Sequence, residues 1–188
     1  MSKTQASSCK CPSSCPDLTL GLCKENDYSC VSTSTSTTTS TTTIGGGGGA
    51  TFVGSTEILM ANDTTEPISQ IKPGDVVLSY DPETNTFYPN VIVATVHFPV
   101  SKLYIINGKI VTDANEIFFV SKNGHREWIA AANLRIGDKL IEPKTNGEIV
   151  ISSIIVENLT TPVIVYDLLG AQGNNFIANG VLADILTD

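Results

Sequence analysis

Residues 71–78 read IKPGDVVL, and residues 134–141 read LRIGDKLI. Each stretch runs from an apolar residue through a basic one to Gly-Asp, and then into strand-like text. Gly74 and Gly137 hold corresponding places, as do Asp75 and Asp138. A supersecondary unit that recurs in one chain implies a duplicated architecture. Whatever this chain builds, it builds in two similar halves.

The text around both copies is that of strands. Residues 56–60, 76–80, 91–96, 103–106, 109–112, 117–120, 149–156 and 163–168 are short runs rich in β-branched side chains, which suit a pleated, half-buried surface. Turn signals separate them: Asn62 with Asp63, Pro82, Asn107 with Gly108, Asn123 with Gly124, and Asn146 with Gly147. Only residues 127–134 read as a helical turn or two. With 41% hydrophobic and 16% charged residues, the composition is that of a globular all-β body.

The N-terminal part is different. Residues 1–31 form a head that carries all the cysteines: Cys9, Cys11, Cys15, Cys23 and Cys30. An odd count leaves one thiol unpaired in a monomer if the others form disulfides. The head is either a small cross-linked knot, an intermolecular disulfide anchor, or a reduced and loosely ordered tail. The cysteine gaps match no zinc-knuckle spacing and no histidine lies nearby, so no metal is expected there. Residues 32–43 are an unbroken Ser/Thr run, followed by glycines at 45–49. Such a stretch has too little apolar surface to offset its chain entropy. It reads as a linker, residues 32–49: either an extended stalk open to O-glycosylation, or a segment that docks as an edge strand on a partner. The body is then residues 50–188, about 140 residues, enough for one domain with its own core.

The charges of the first 49 residues cancel, so the net charge of −8 falls wholly on the body. That balance argues against nucleic acid as a partner, because phosphate binding needs clustered Lys and Arg. No apolar run reaches membrane-spanning length. The opening MSKTQASSCKCP lacks the apolar core of a secretory signal, and the compartment is left open.

Three separated blocks carry a family likeness. The first is TFVGSTEILM leading to IKPGDVV, with Phe52, Thr56, Ile58, Met60, Ile71, Gly74, Asp75 and Val77. The second is WIAAANLRIGDKL, from Trp128. The third joins Val165, Tyr166, Asp167 and Leu168 to NNFIANG, from Asn174. Together they resemble Hint domains, the module shared by inteins and hedgehog autoprocessing proteins. The resemblance implies a flat horseshoe of two pseudo-symmetric β halves, with the chain ends brought together at the centre. It also implies self-cleavage chemistry. A first-position Cys attacks the preceding carbonyl, a His in a Thr-x-x-His motif protonates the departing nitrogen, and in inteins a terminal Asn cyclises beside a His.

Set on those positions, the chain departs from the pattern. Thr51 stands at the nucleophile position, which makes the bond between Ala50 and Thr51 the scissile one. Thr112 is kept, but Asn115 replaces the motif's His. Asp167 matches the family's Tyr-Asp, and Asn174 stands where a later His is expected. Asp184 and Ile185 occupy the terminal His-Asn pair. A hydroxyl is a poor nucleophile without an activating base, and losing one acid or base group costs about 10²–10⁴ in rate. His97 and His125 lie outside the motifs. With no terminal Asn and the sequence ending at Asp188, splicing is not expected. The reading is a non-catalytic structural or interaction module with no cofactor. Residues 1–44 would anchor it in a larger protein assembly such as a filament, coat or virion surface, among copies of itself or of a coat protein. The rival reading is autoprocessing between Ala50 and Thr51.

Overall fold

The computed structural model describes residues 51–185. Thirteen strands span Phe52–Val53 (β1), Glu57–Leu59 (β2), Thr65–Pro67 (β3), Val76–Asp81 (β4), Thr86–Ile106 (β5), Ile110–Thr112 (β6), Ile117–Lys122 (β7), His125–Ala130 (β8), Lys139–Glu142 (β9), Gly147–Val150 (β10), Ile154–Gly170 (β11), Asn175–Ala178 (β12) and Val181–Asp184 (β13). One sheet has the order β11-β1-β6-β5-β4. The other runs β10-β9-β7-β13-β12-β2-β3, with β8 paired to β7. The named strand pairings are antiparallel, as expected for a chain whose turns are mostly short.

The duplication in the sequence is a duplication of hydrogen bonds. A 3-10 turn, Ile68–Gln70, precedes the first Gly-Asp, and another, Ala131–Asn133, precedes the second. The Asp75 carboxylate accepts the Lys72 N–H at 2.7 Å, and the Asp138 carboxylate accepts that of Arg135 at 2.9 Å. The Gly74 N–H donates to Ile92 and the Gly137 N–H to Ile151, at 2.7 and 2.9 Å. Both glycines have φ +97°, a conformation L side chains rarely adopt, which is why the same residue recurs. The match extends upstream. The Ile68 N–H reaches the Thr56 carbonyl as the Ala131 N–H reaches that of Glu116, and Ser69 reaches Gly54 as Ala132 reaches Ala114. Thr56 and Glu116 therefore hold equivalent places in the two halves.

Several boundaries differ from the sequence expectation. The runs at 91–96 and 103–106 belong to one 21-residue strand, β5, which pairs with β11 from Ile92 to Ile106. No turn residue interrupts the text between them, and Pro99 sits where β5 has no second neighbour to receive an N–H. The run at 149–156 is broken instead. The Ile151 N–H donates to Asp138 at 2.8 Å, and the Asn107 side chain accepts the Ser152 and Ser153 N–H groups. Residues 127–134 are strand as far as Ala130 and a single 3-10 turn after it, because β8 completes its ladder with β7. Asn107 with Gly108 and Asn123 with Gly124 have positive φ at both positions, the geometry of tight hairpins.

Phe52 closes the core. It is fully buried, and its ring meets Phe118 of β7 and Phe176 of β12 edge-on, at centroid distances of 5.8 and 5.9 Å. It thereby joins the five-stranded sheet to the eight-stranded one.

Candidate functional site

β1 is two residues long and lies between β11 and β6. Phe52 faces Tyr166 on one side and Thr112 on the other. Carrying that register one residue back sets Thr51 between Asp167 and Asp113. Directly opposed residues of antiparallel strands share a face, with Cβ atoms about 4.5–5.5 Å apart. The Thr51 hydroxyl thus emerges on one face together with two carboxyls. Phe52, Thr112 and Tyr166 occupy the opposite face, and so does His97, which is paired with Tyr166.

The Thr51 carbonyl accepts the Thr112 hydroxyl and, at 3.1 Å, the Asp113 N–H. Asp113 is itself fixed by a local turn: one oxygen accepts the Asn115 and Glu116 N–H groups, each at 3.0 Å, and the other accepts the Asn115 side-chain amide at 3.2 Å. This is the turn that Asp favours, in which the side chain caps the backbone two residues on. It turns Asn115 outward to solvent and Glu116 inward. The position aligned with the family's His is therefore exposed, and the next residue is in the site.

Glu116 is fully buried, and neither carboxyl oxygen has a hydrogen-bond partner among the described residues. Asp167 accepts the Leu168 N–H at 2.6 Å through one oxygen, while its other oxygen is unpartnered. The Thr51 hydroxyl is likewise buried without a partner. Burial, and then the charges of Asp167, Asp113 and Asp184, push the Glu116 carboxyl well above its ordinary value. Burial and then the repulsion of Asp184 and Asp113 do the same to Asp167, against the pull of the Leu168 N–H. Burial also raises Asp113 and Asp184. The ion pairs found among the described residues join Lys122 to Asp138, Lys139 to Glu148 and Lys144 to Asp63, so none offsets this cluster. Among the described residues no group of three or more His, Cys, Asp and Glu side chains is placed to hold a metal ion.

The remaining sequence-predicted positions are spread out. Asn174 is exposed and lines an open cleft of about 420 Å³ with Tyr80, Asp81, Tyr88 and Gly173. Its carbonyl accepts the Ile185 N–H at 3.2 Å, and Ile185 is buried among core side chains. The neighbouring Asn175 is structural: its amide bridges both backbone groups of Tyr80 at 2.9 Å. Gly74, Asp75, Gly137 and Asp138 are the scaffold turns described above. His125 is exposed at the start of β8. The cysteines of the head lie outside the described residues.

Asp113 and Glu116 were not anticipated as site residues. The signal available was an Asp followed three residues later by a Glu that immediately precedes the apolar run IFFV. Such an Asp can cap a turn, and the turn decides which of its successors points inward.

No family model matches the sequence, and no curated protein matches it. Solved structures do. A bacterial intein-like domain from Clostridium thermocellum is 24% identical, with TM-score 0.66, over 74% of this chain and 100% of that one. A DnaB intein from Synechocystis is 18% identical, with TM-score 0.54, over 73% and 99%. The gp41-1 intein is 20% identical, with TM-score 0.57, over 73% and 99%. The body carries the Hint fold, the fold of inteins and intein-like domains. Its strands form two related halves around a centre that holds Thr51.

Proposed function

We propose that the body is a Hint-fold interaction module that does not splice and that stays joined to its leader at neutral pH. The observation carrying this reading is the chemistry of the centre, which has buried carboxyls in place of a thiol and an imidazole. Intein splicing ends with cyclisation of an Asn carboxamide, and Ile185 has only hydrocarbon at that position. A surface for a protein partner is supplied by the β5–β11 ribbon. Both its outer edges are unpaired over much of their length, and Val93, Ile155, Val156 and Ile164 are exposed on it. Open edges and exposed apolar side chains favour strand addition by another chain.

In this reading residues 1–44 anchor the chain in a larger protein assembly, and the body is displayed from it. Deleting residues 1–44 should abolish incorporation into the native assembly while leaving the body's circular dichroism and melting temperature unchanged. Co-sedimentation of tagged full-length and truncated chains with the assembly measures this. A truncated chain that still incorporates would remove the anchoring role.

A second reading, cleavage between Ala50 and Thr51, is favoured by one observation, a Thr51 hydroxyl that is fully buried and has no hydrogen-bond partner among the described residues.

A further inference from the structure

We infer that the open edge of β8 receives strand β11 of a second copy of this chain, so that copies join head to tail. This rests on the reading of the body as an interaction module and names the partner of its ribbon. β8 is paired with β7 alone, and among the described residues no other backbone group bonds to it. Four consecutive residues of β8, Glu127, Trp128, Ile129 and Ala130, line an open groove of about 500 Å³ together with Lys122 and Arg135. Successive side chains of a strand point to opposite faces. A groove that touches all four therefore runs along the edge of the strand. Trp128 is 37% exposed there. Trp and Arg are residue types on which binding energy concentrates in protein interfaces.

Charge indicates what the groove fits. Half of the body's Lys and Arg, namely Lys122, Arg126, Arg135 and Lys139, fall within residues 122–139, against two acids, Glu127 and Asp138. Arg126 and Arg135 are exposed and take no part in the ion pairs found among the described residues. This basic edge belongs to a body that carries the whole net charge of −8, so its complement is the rest of the same body on another copy. The strand that fits is the Ile154–Asn158 part of β11. From Ile154 to Ile164, β11 has β5 on one side and no strand on the other among the described residues. Ile155 and Val156 are 56% and 45% exposed on its opposite faces, and Glu157 is exposed. A long apolar edge is a template for strand addition. The open edge of β5 is the poorer one, because Pro99 has no N–H to offer. Antiparallel pairing with Glu157 opposite Arg126 sets Ile155 opposite Trp128 on the same face, and Ile154 opposite Ile129 on the other. The two edges differ, so the contact is heterologous. A copy docked through its β11 keeps its own β8 edge open, and association continues past a dimer.

The test is sedimentation velocity of the full chain under reducing conditions, which remove cysteine cross-links, over a concentration series at low and high salt. Intact mass is read on the same samples. The expected result is an average mass that climbs with concentration beyond that of a dimer, and that falls when salt near 1 M cuts the screening length to about 3 Å. Arg126→Glu and Glu157→Lys, both at exposed positions, should each weaken association by about tenfold or more, because like charges then face each other. Both changes in one chain should restore it. A full chain that stays monomeric through the series overturns this inference and leaves the module reading to its co-sedimentation test. Association that Arg126→Glu leaves unchanged arises elsewhere, the leader included, and overturns the role of β8. A leader lost during the run, visible in the masses, would remove the uncleaved reading, while the response of association to the two variants still decides the edge contact.

Discussion

Phe52→Ala is expected to lower the stability of the body by about 3–5 kcal/mol, the cost of a fully buried aromatic truncated to a methyl group. The side chain has no exposed surface and packs edge-on against Phe118 and Phe176. Those partners sit on strands of the other sheet, so the cavity opens where the two sheets meet. Core atoms there are held by their own ladders: β7 pairs with β8, β9 and β13, and β12 pairs with β13 and β2. A site framed in this way collapses little, which places the cost toward the upper end. Against a total of about 5–15 kcal/mol for a typical domain, the variant should be close to unfolding. Urea unfolding followed by tryptophan fluorescence measures it. Phe87→Ala is the control, because Phe87 is 42% exposed and contributes mainly a tilted contact with Tyr80. Its midpoint should move far less.

Glu116→Gln is expected to raise stability at neutral pH and to flatten its dependence on pH. Burial, followed by the charges of Asp167, Asp113 and Asp184, raises the Glu116 carboxyl well above its ordinary value. The native state then binds its proton more tightly than the unfolded chain does. Stability must fall as pH rises through the range between the ordinary carboxyl value and the raised one. Below the ordinary value both states are protonated and the residue contributes no pH dependence. Above the raised value the full penalty of an ionised, unpartnered carboxylate is present. Asp167 has the same sign, with burial again the leading cause. The wild-type body should therefore melt higher at mildly acid pH than at pH 8. Gln keeps the shape and removes the charge, so the variant should gain most at alkaline pH and almost nothing in acid. Melting temperatures of both proteins across pH 4.5–8.5 check this. Parallel curves would mean that Glu116 does not titrate within that range.

Much of the architecture was legible in the sequence because its signals are local. The Gly-Asp repeats demanded the same turn twice, and the structure supplies the same hydrogen bonds twice. The Asn-Gly pairs at 107 and 123 marked hairpins through the positive φ that such turns need. What was not legible depends on partners far along the chain. The single strand β5 exists because β11 templates it across residues 92–106, and neither run announces the other. Residues 127–134 have helix-compatible text, but β8 gains a full ladder from β7.

The candidate site divides in the same way. Thr51, Thr112 and Asp167 were found from the family's motifs, and register brings Thr51 and Asp167 together. Asn115 was selected by counting along a motif, whereas the Asp113 turn exposes it and buries its neighbour Glu116. A charged residue beside a turn signal reads as surface unless the direction of its side chain is known. That direction is set by hydrogen bonds from Asn115 and Glu116 to one carboxylate. The result is a centre with the Hint geometry and carboxyl chemistry, in which hydroxyl and acid groups stand where the family's resemblance led one to look for thiol and imidazole.

The most direct test of that centre is the carboxyl titration of the folded protein by carbon NMR, following the side-chain carbons of Asp113, Glu116, Asp167 and Asp184 from pH 3 to pH 9. The account predicts that Glu116 and Asp167 ionise well above the ordinary range of about 3.9–4.3 for free Asp and Glu side chains, with the signals of their neighbours responding as they do. If all four carboxyls ionise within that ordinary range, the centre is open and solvated, and the proton-holding site described here does not exist.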